Sequence, residues 1–132
     1  MGDLTFCSAF TLARAIQNRE IGALEATEAC IARIERFDDD LNALCVTLFD
    51  EARNQARAAD QALDRGASLG PLHGVPITVK EANDVAGTAT TWGLTERADH
   101  RTNEDAEVVR RLREAGAVLL GKTNVPVGCS DW

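Results

Sequence analysis

"DAEVVRRLREAGAVLLGKTN", Asp105 to Asn124, decides the fold because it admits two readings. Its second half, Gly116 to Thr123, fits G-x-x-x-x-G-K-[ST], the pattern of a loop that cradles phosphate. Such a loop follows a strand, precedes a helix and turns its amide N–H groups onto the anion. Here the residues between the glycines are Ala117, Val118, Leu119 and Leu120, an apolar run with strand character. Upstream, Val108, Val109, Leu112 and Ala115 form an apolar stripe at helical spacing, with Glu107, Arg110, Arg111, Arg113 and Glu114 on the other faces. The order is helix, Gly116 as the cap, buried strand, turn. Nucleotide binding at Gly116 to Thr123 is left as a weak alternative.

The same alternation continues toward the amino terminus. Thr11 to Arg19 reads as a short helix, and a second follows the Gly22 turn with Leu24, Thr27, Ile31, Ile34 and Phe37 on one side, ended by the acidic Asp38 to Asp40. Ala43 to Phe49 reads as a strand, Asp50 to Gly66 as an Ala-rich helix closed by its glycine, Gly66 to Gly74 as a loop and Val75 to Lys80 as a short strand. A polar loop, Glu81 to Gly93, precedes the helix-glycine-strand unit. The fold class is α/β.

The chain has 132 residues, of which 45% are hydrophobic and 27% charged, enough for one domain or part of one with a real core. A formal charge of -7 opposes a direct nucleic-acid surface, and the cluster at Arg110, Arg111 and Arg113 reads as a solvated helix face balanced by Glu107 and Glu114. Cys7, Cys30, Cys45 and Cys129 show no CxxC spacing, and only His73 and His100 could join them, so no metal site is expected. The cysteines read as small core residues. With no basic and apolar leader and no run of membrane-spanning length, a cytoplasmic protein away from the membrane is expected.

The chemistry concentrates in "GPLHGVPITVKEANDVAGTATTWG", Gly70 to Gly93. Lys80 ends an apolar strand just before a Gly- and Thr-rich loop, where α/β folds commonly place working residues. A lysine desolvated there can serve as a base, although from its place in the strand alone a strand-end lysine reaching solvent is the favoured reading. This stretch, followed by "DAEVVRRLREAGAVLLGKTNVP", resembles the amidase signature family of serine hydrolases. The leading "TLARAIQNREIGALEATEACIARIERFDDDLNA" is similar to that family's entry into its domain. The resemblance covers nearly the whole chain through several ordered motifs.

The resemblance implies hydrolysis of a carboxamide C–N bond by a Ser-Ser-Lys triad, without metal or organic cofactor. Lys80 matches the triad lysine, which takes a proton through a bridging serine and so activates the serine that attacks the carbonyl. In the family both serines lie in a Gly- and Ser-rich signature downstream of the Thr-Asn-x-Pro segment, whereas this sequence stops at Trp132. Residues 1–132 are thus expected to be the amino-terminal part of a single amidase domain, adding helices and part of a mixed sheet, and inactive alone. Ser8, Ser68 and Ser130 lack the glycine-rich setting of a nucleophile, and His73 falls in a Gly-Pro-Leu-x-Gly-Val-Pro loop with a structural task. Three departures from the family pattern, Glu81 for Asp, Leu94 for Ser, and Val127 and Gly128 for Glu-Phe, bear on the substrate. In the complete enzyme the partner is a small-molecule amide. The separate chain is expected to self-associate through uncovered apolar surface. A non-catalytic remnant or assembly module that binds a protein partner is the alternative of another class.

Overall fold

A computed structural model describes residues 3–67 and 70–130 of the chain. After a single 3-10 turn at Leu4–Phe6, the elements are helix α1 (Ala9–Gln17), helix α2 (Ala23–Leu41), strand β1 (Leu44–Thr47), helix α3 (Phe49–Asp64), strand β2 (Pro76–Lys80), helix α4 (Glu107–Glu114) and strand β3 (Val118–Thr123). All the expected helices and strands are present, with shifted ends. Helix α1 begins earlier than Thr11 because Ser8 caps it, its Oγ accepting from the Thr11 N–H at 3.1 Å.

Helix α2 is capped from outside its own sequence. The Asp60 carboxylate, on α3, accepts from Ala23 N at 2.7 Å and Leu24 N at 3.1 Å. This places negative charge on the positive end of α2 and ties the two helices together. The acidic run Asp38 to Asp40 does not end α2 as expected. The helix continues to Leu41 and turns at Asn42 in the left-handed conformation. Acidic side chains suit a helix C-terminus poorly. Asp38 offsets this by accepting from Ala43 N at 2.7 Å and Leu44 N at 3.2 Å, steering the chain into β1.

The sheet order is β1-β3-β2, with β3 antiparallel to β1 and parallel to β2. This is the mixed sheet expected of the fold. Val118 and Leu120 face a core of Leu12, Ile16, Ile31, Ala52 and Ala56 from the first three helices, while Leu119 joins Val79, Val85 and Val109 on the other side. The central strand is therefore buried on both faces, which explains a near-continuous apolar sequence. Ala23, Ala26, Ala52 and Ala56 have no exposure, and their small side chains let α2 and α3 pack closely.

Gly116 ends α4 with φ +92°, and a Cβ there would lie 2.8 Å from the His73 Cα. Only glycine combines that turn with that approach. The apolar stripe of α4 is narrower than expected. Val109 is buried but Val108 is 48% exposed, since adjacent helical residues cannot share a face. The arginine cluster behaves as a solvated face: Arg110 pairs with Glu107 and Glu114, Arg111 with Glu107, and Arg113 with Glu51 and Asp105.

The cysteines are not core residues. Cys45 is exposed, Cys7, Cys30 and Cys129 are half-buried, and of these only Cys30 packs against the main core. Burial pushes the Cys30 thiol above its ordinary value, with a further push from the Asp3 charge and a partial offset from Arg33. Among the described residues no helix is long and apolar enough to cross a membrane, and no group of His, Cys, Asp and Glu is arranged to hold a metal ion.

Candidate functional site

Lys80 is the last residue of β2 and pairs across the sheet with Thr123. Its side chain is exposed. The chain does not leave the sheet at once, because the Glu81 N–H donates to Thr123 O at 2.9 Å. A turn follows, in which Asn83 N donates to Lys80 O at 3.0 Å.

Glu81 is buried at 3% exposure, unlike its neighbour. Its carboxylate accepts from the Thr91 N–H and from Trp92 N at 3.0 Å, so it fastens the far end of the loop to the base of β2. A buried carboxylate needs such donors to offset its lost hydration. Trp92 adopts φ +56°, unusual for a bulky residue, and Gly93 follows at φ +70°. The bend is supported by Gly93 N donating to Thr91 Oγ1 at 3.0 Å and by the Trp92 Nε1–H donating to Ala82 O at 3.3 Å. From the other side, Gly128 N donates to Trp92 O at 2.7 Å. A Cβ on Gly93 would lie 3.1 Å from Pro126 O, so the turn and the Pro126 segment are in close contact.

The second buried charge is Lys122. It belongs to the G-x-x-x-x-G-K-T match, yet it has no solvent exposure and lies within a strand. Its ammonium donates to Ala89 O at 2.6 Å, Thr90 Oγ1 at 2.9 Å and Thr88 Oγ1 at 3.4 Å. Burial lowers its pKa below the ordinary lysine value, and the charges of Glu81, Cys45 and Asp84 oppose that shift. A lysine so engaged is closed to phosphate, and the residues before it form a strand, so the nucleotide reading fails on geometry.

Lys122 faces the loop because the pairing of β2 with β3 slips. Ile77 lies opposite Leu119, but Thr78 lies opposite Gly121, which brings Val79 into register with Lys122. On its other side Gly121 lies close against β1, where a Cβ would lie 2.2 Å from Val46 O. Neither Lys122 nor the buried state of Glu81 was legible from motif spacing. The available signal was chemical: a lone cation closing an apolar strand, with a Thr-rich "TATT" nearby to supply oxygen atoms.

Of the remaining residues singled out in the sequence, Leu94 and Gly128 border the Trp92 turn, whereas His73, Ser8 and Ser130 have structural tasks. His73 is buried, and its Nε2 contacts Ala59 O at 3.0 Å, a structural placement. Ser8 is a helix cap, and the Ser130 Oγ–H donates to Val127 O at 3.0 Å. Ser68 lies outside the described residues. Leu94 follows the Trp92 turn, its N–H donating to Thr91 O at 3.0 Å.

The Amidase family model matches residues 25–130. The putative amidase AmiB2 of Mycobacterium tuberculosis is 49% identical over 124 residues, which are 94% of this chain and 26% of that protein. The indoleacetamide hydrolase of Bradyrhizobium diazoefficiens is 43% identical over 119 residues, 90% of this chain and 23% of its own length. Among solved structures, a bacterial aryl acylamidase of the amidase signature enzymes superposes with a TM-score of 0.86 at 29% identity, over 93% of this chain and 26% of that one. The chain spans about a quarter of the length of the curated relatives it matches. With a family model covering most of its length, and with the lysine-bearing strand, the loop and the closing strand in one continuous match, the chain belongs to the amidase signature family.

Proposed function

We propose that residues 1–132 are the lysine-bearing part of an enzyme that hydrolyses a carboxamide C–N bond. The observation that carries this reading is the family match over residues 25–130, which contains Lys80 at the end of β2. In the mechanism proposed, a region downstream of Trp132 supplies the bridging and nucleophilic serines and the N–H groups that receive the oxyanion. Lys80 accepts the nucleophile's proton through the bridging serine, and the attacking oxygen forms an acyl bond to the carbonyl carbon. The proton then passes to the nitrogen of the departing amine, and water, deprotonated by the same relay, releases the acid. Lys80 is exposed in this chain, which agrees with a role that begins only when further residues cover it.

The test is made on the enzyme completed by that downstream region, identified first by a reading frame encoding a Gly-Gly-Ser-Ser-Gly-like stretch. It should hydrolyse simple amides, and Lys80→Ala should lower kcat/KM by about a thousandfold or more. The 132-residue chain alone should show no hydrolysis and no labelling by a fluorophosphonate at any serine. Labelling of the isolated chain that is lost in Lys80→Ala would overturn the reading.

A further inference from the structure

Thr88 to Trp92 is gripped by two buried charges of opposite sign, each using the atoms the other cannot. The Lys122 ammonium takes oxygen atoms only, those of Thr88, Ala89 and Thr90. The Glu81 carboxylate takes N–H groups only, those of Thr91 and Trp92. The Thr88 hydroxyl gives its proton to Val85 O at 2.8 Å, which leaves a lone pair for the ammonium. Thr90 N donates to His100 O at 3.0 Å, so the middle of the loop is also fixed from its outer side.

A buried ammonium is an expensive way to fill space, because an apolar side chain of the same length would pack there without losing hydration. What the ammonium adds is direction. Three acceptors set the height and tilt of the loop above β3, and two donors set its distance from the end of β2, where Lys80 stands.

We propose that Lys122 is a positioning residue for the reaction site, which with Glu81 locks the Thr88–Trp92 loop beside Lys80 as a preformed wall. The catalytic half of this inference rests on the amidase reading; the grip on the loop is a property of this chain and is tested without catalysis. Lys122 acts in this proposal through the loop it holds, by way of Thr88, Ala89 and Thr90, and not on the reacting atoms.

Lys122→Met keeps the length of the side chain and removes its donors. Amide hydrogen exchange in the 132-residue chain should then accelerate about tenfold more at Thr91 and Trp92 than at the core amides of α3. Uniform acceleration, or none at Thr91 and Trp92, would overturn the grip. Should Lys122→Met fail to fold, the paired substitution Thr88→Val with Thr90→Val leaves the lysine bonded to Ala89 O, and a preferential gain of about threefold at the same amides is expected. In the completed enzyme, Lys122→Met should lower kcat about thirtyfold with KM changed less than about threefold, since misplaced walls cost geometry at the reacting atoms. If Lys80→Ala abolishes hydrolysis while Lys122→Met leaves kcat intact, the positioning role is wrong. If the completed enzyme hydrolyses no amide, it is the amidase reading that fails, and if Lys80→Ala leaves hydrolysis intact, it is the assignment of Lys80 as the base; in either case the exchange result alone decides the grip.

Discussion

Lys80 and Lys122 occupy neighbouring positions on paired strands, yet one is exposed and the other has no exposure at all. Lys80 closes β2, a flanking strand that ends at a turn. Lys122 lies near the end of β3, the central strand, under a loop that reaches over it. The difference shows that a lysine's role follows from how many elements cover its strand, which neither the residue type nor an eight-letter motif encodes. The pattern match drew attention to Lys122 for a chemistry that its burial forbids.

The comparison is most easily broken at Gly121, whose backbone places Lys122. Gly121→Ala drives a methyl against Val46 O, and we expect destabilisation of about 3 kcal/mol, read from the urea midpoint. A loss under about 1 kcal/mol would mean that β1 and β3 separate readily.

Lys122→Ala comes next. It leaves a cavity and strands the oxygen atoms of Ala89 and Thr90, with an expected loss of about 2 kcal/mol in the same measurement. A smaller effect follows from pH. Burial lowers the Lys122 pKa, so between its folded and unfolded values the unfolded chain holds more protons and stability rises with pH. The urea midpoint of the wild type should therefore gain on that of Lys122→Met as pH approaches the ordinary lysine value. A gap that widens in the opposite direction would show that the ammonium is favoured in place.

The smallest expected effect is at the other lysine. Lys80→Ala in the 132-residue chain should change stability by less than about 0.5 kcal/mol, as exposed positions usually do. A loss comparable to that of Lys122→Ala would erase the distinction between the two sites.

Much of this fold was legible because β3 and its helix follow strong local rules. The apolar run Ala117 to Leu120 favoured a buried strand over a phosphate loop, and the helical stripe before Gly116 favoured a helix cap there. The ends of elements were less legible where distant residues intervene, as when Asp60 caps α2 or Asp38 turns its C-terminus. The candidate site was legible in part. Lys80 was singled out by family resemblance and by its place after an apolar strand, whereas the burial of Lys122 goes with a slip in strand pairing that leaves no local trace, and the Glu81 contacts need the loop to return to the end of β2. The cysteines were misread because small size permits burial without requiring it.

The position of β3 in the sheet also has a consequence for the order of folding. The strand that both others need is the last of the three along the chain, and Leu44 must find Thr123 across the intervening helices. Closing so long a loop costs entropy before any pairing rewards it. Until Val118 to Thr123 leaves the ribosome, β1 and β2 have no central partner, and the nascent chain can gather its helices but not its sheet.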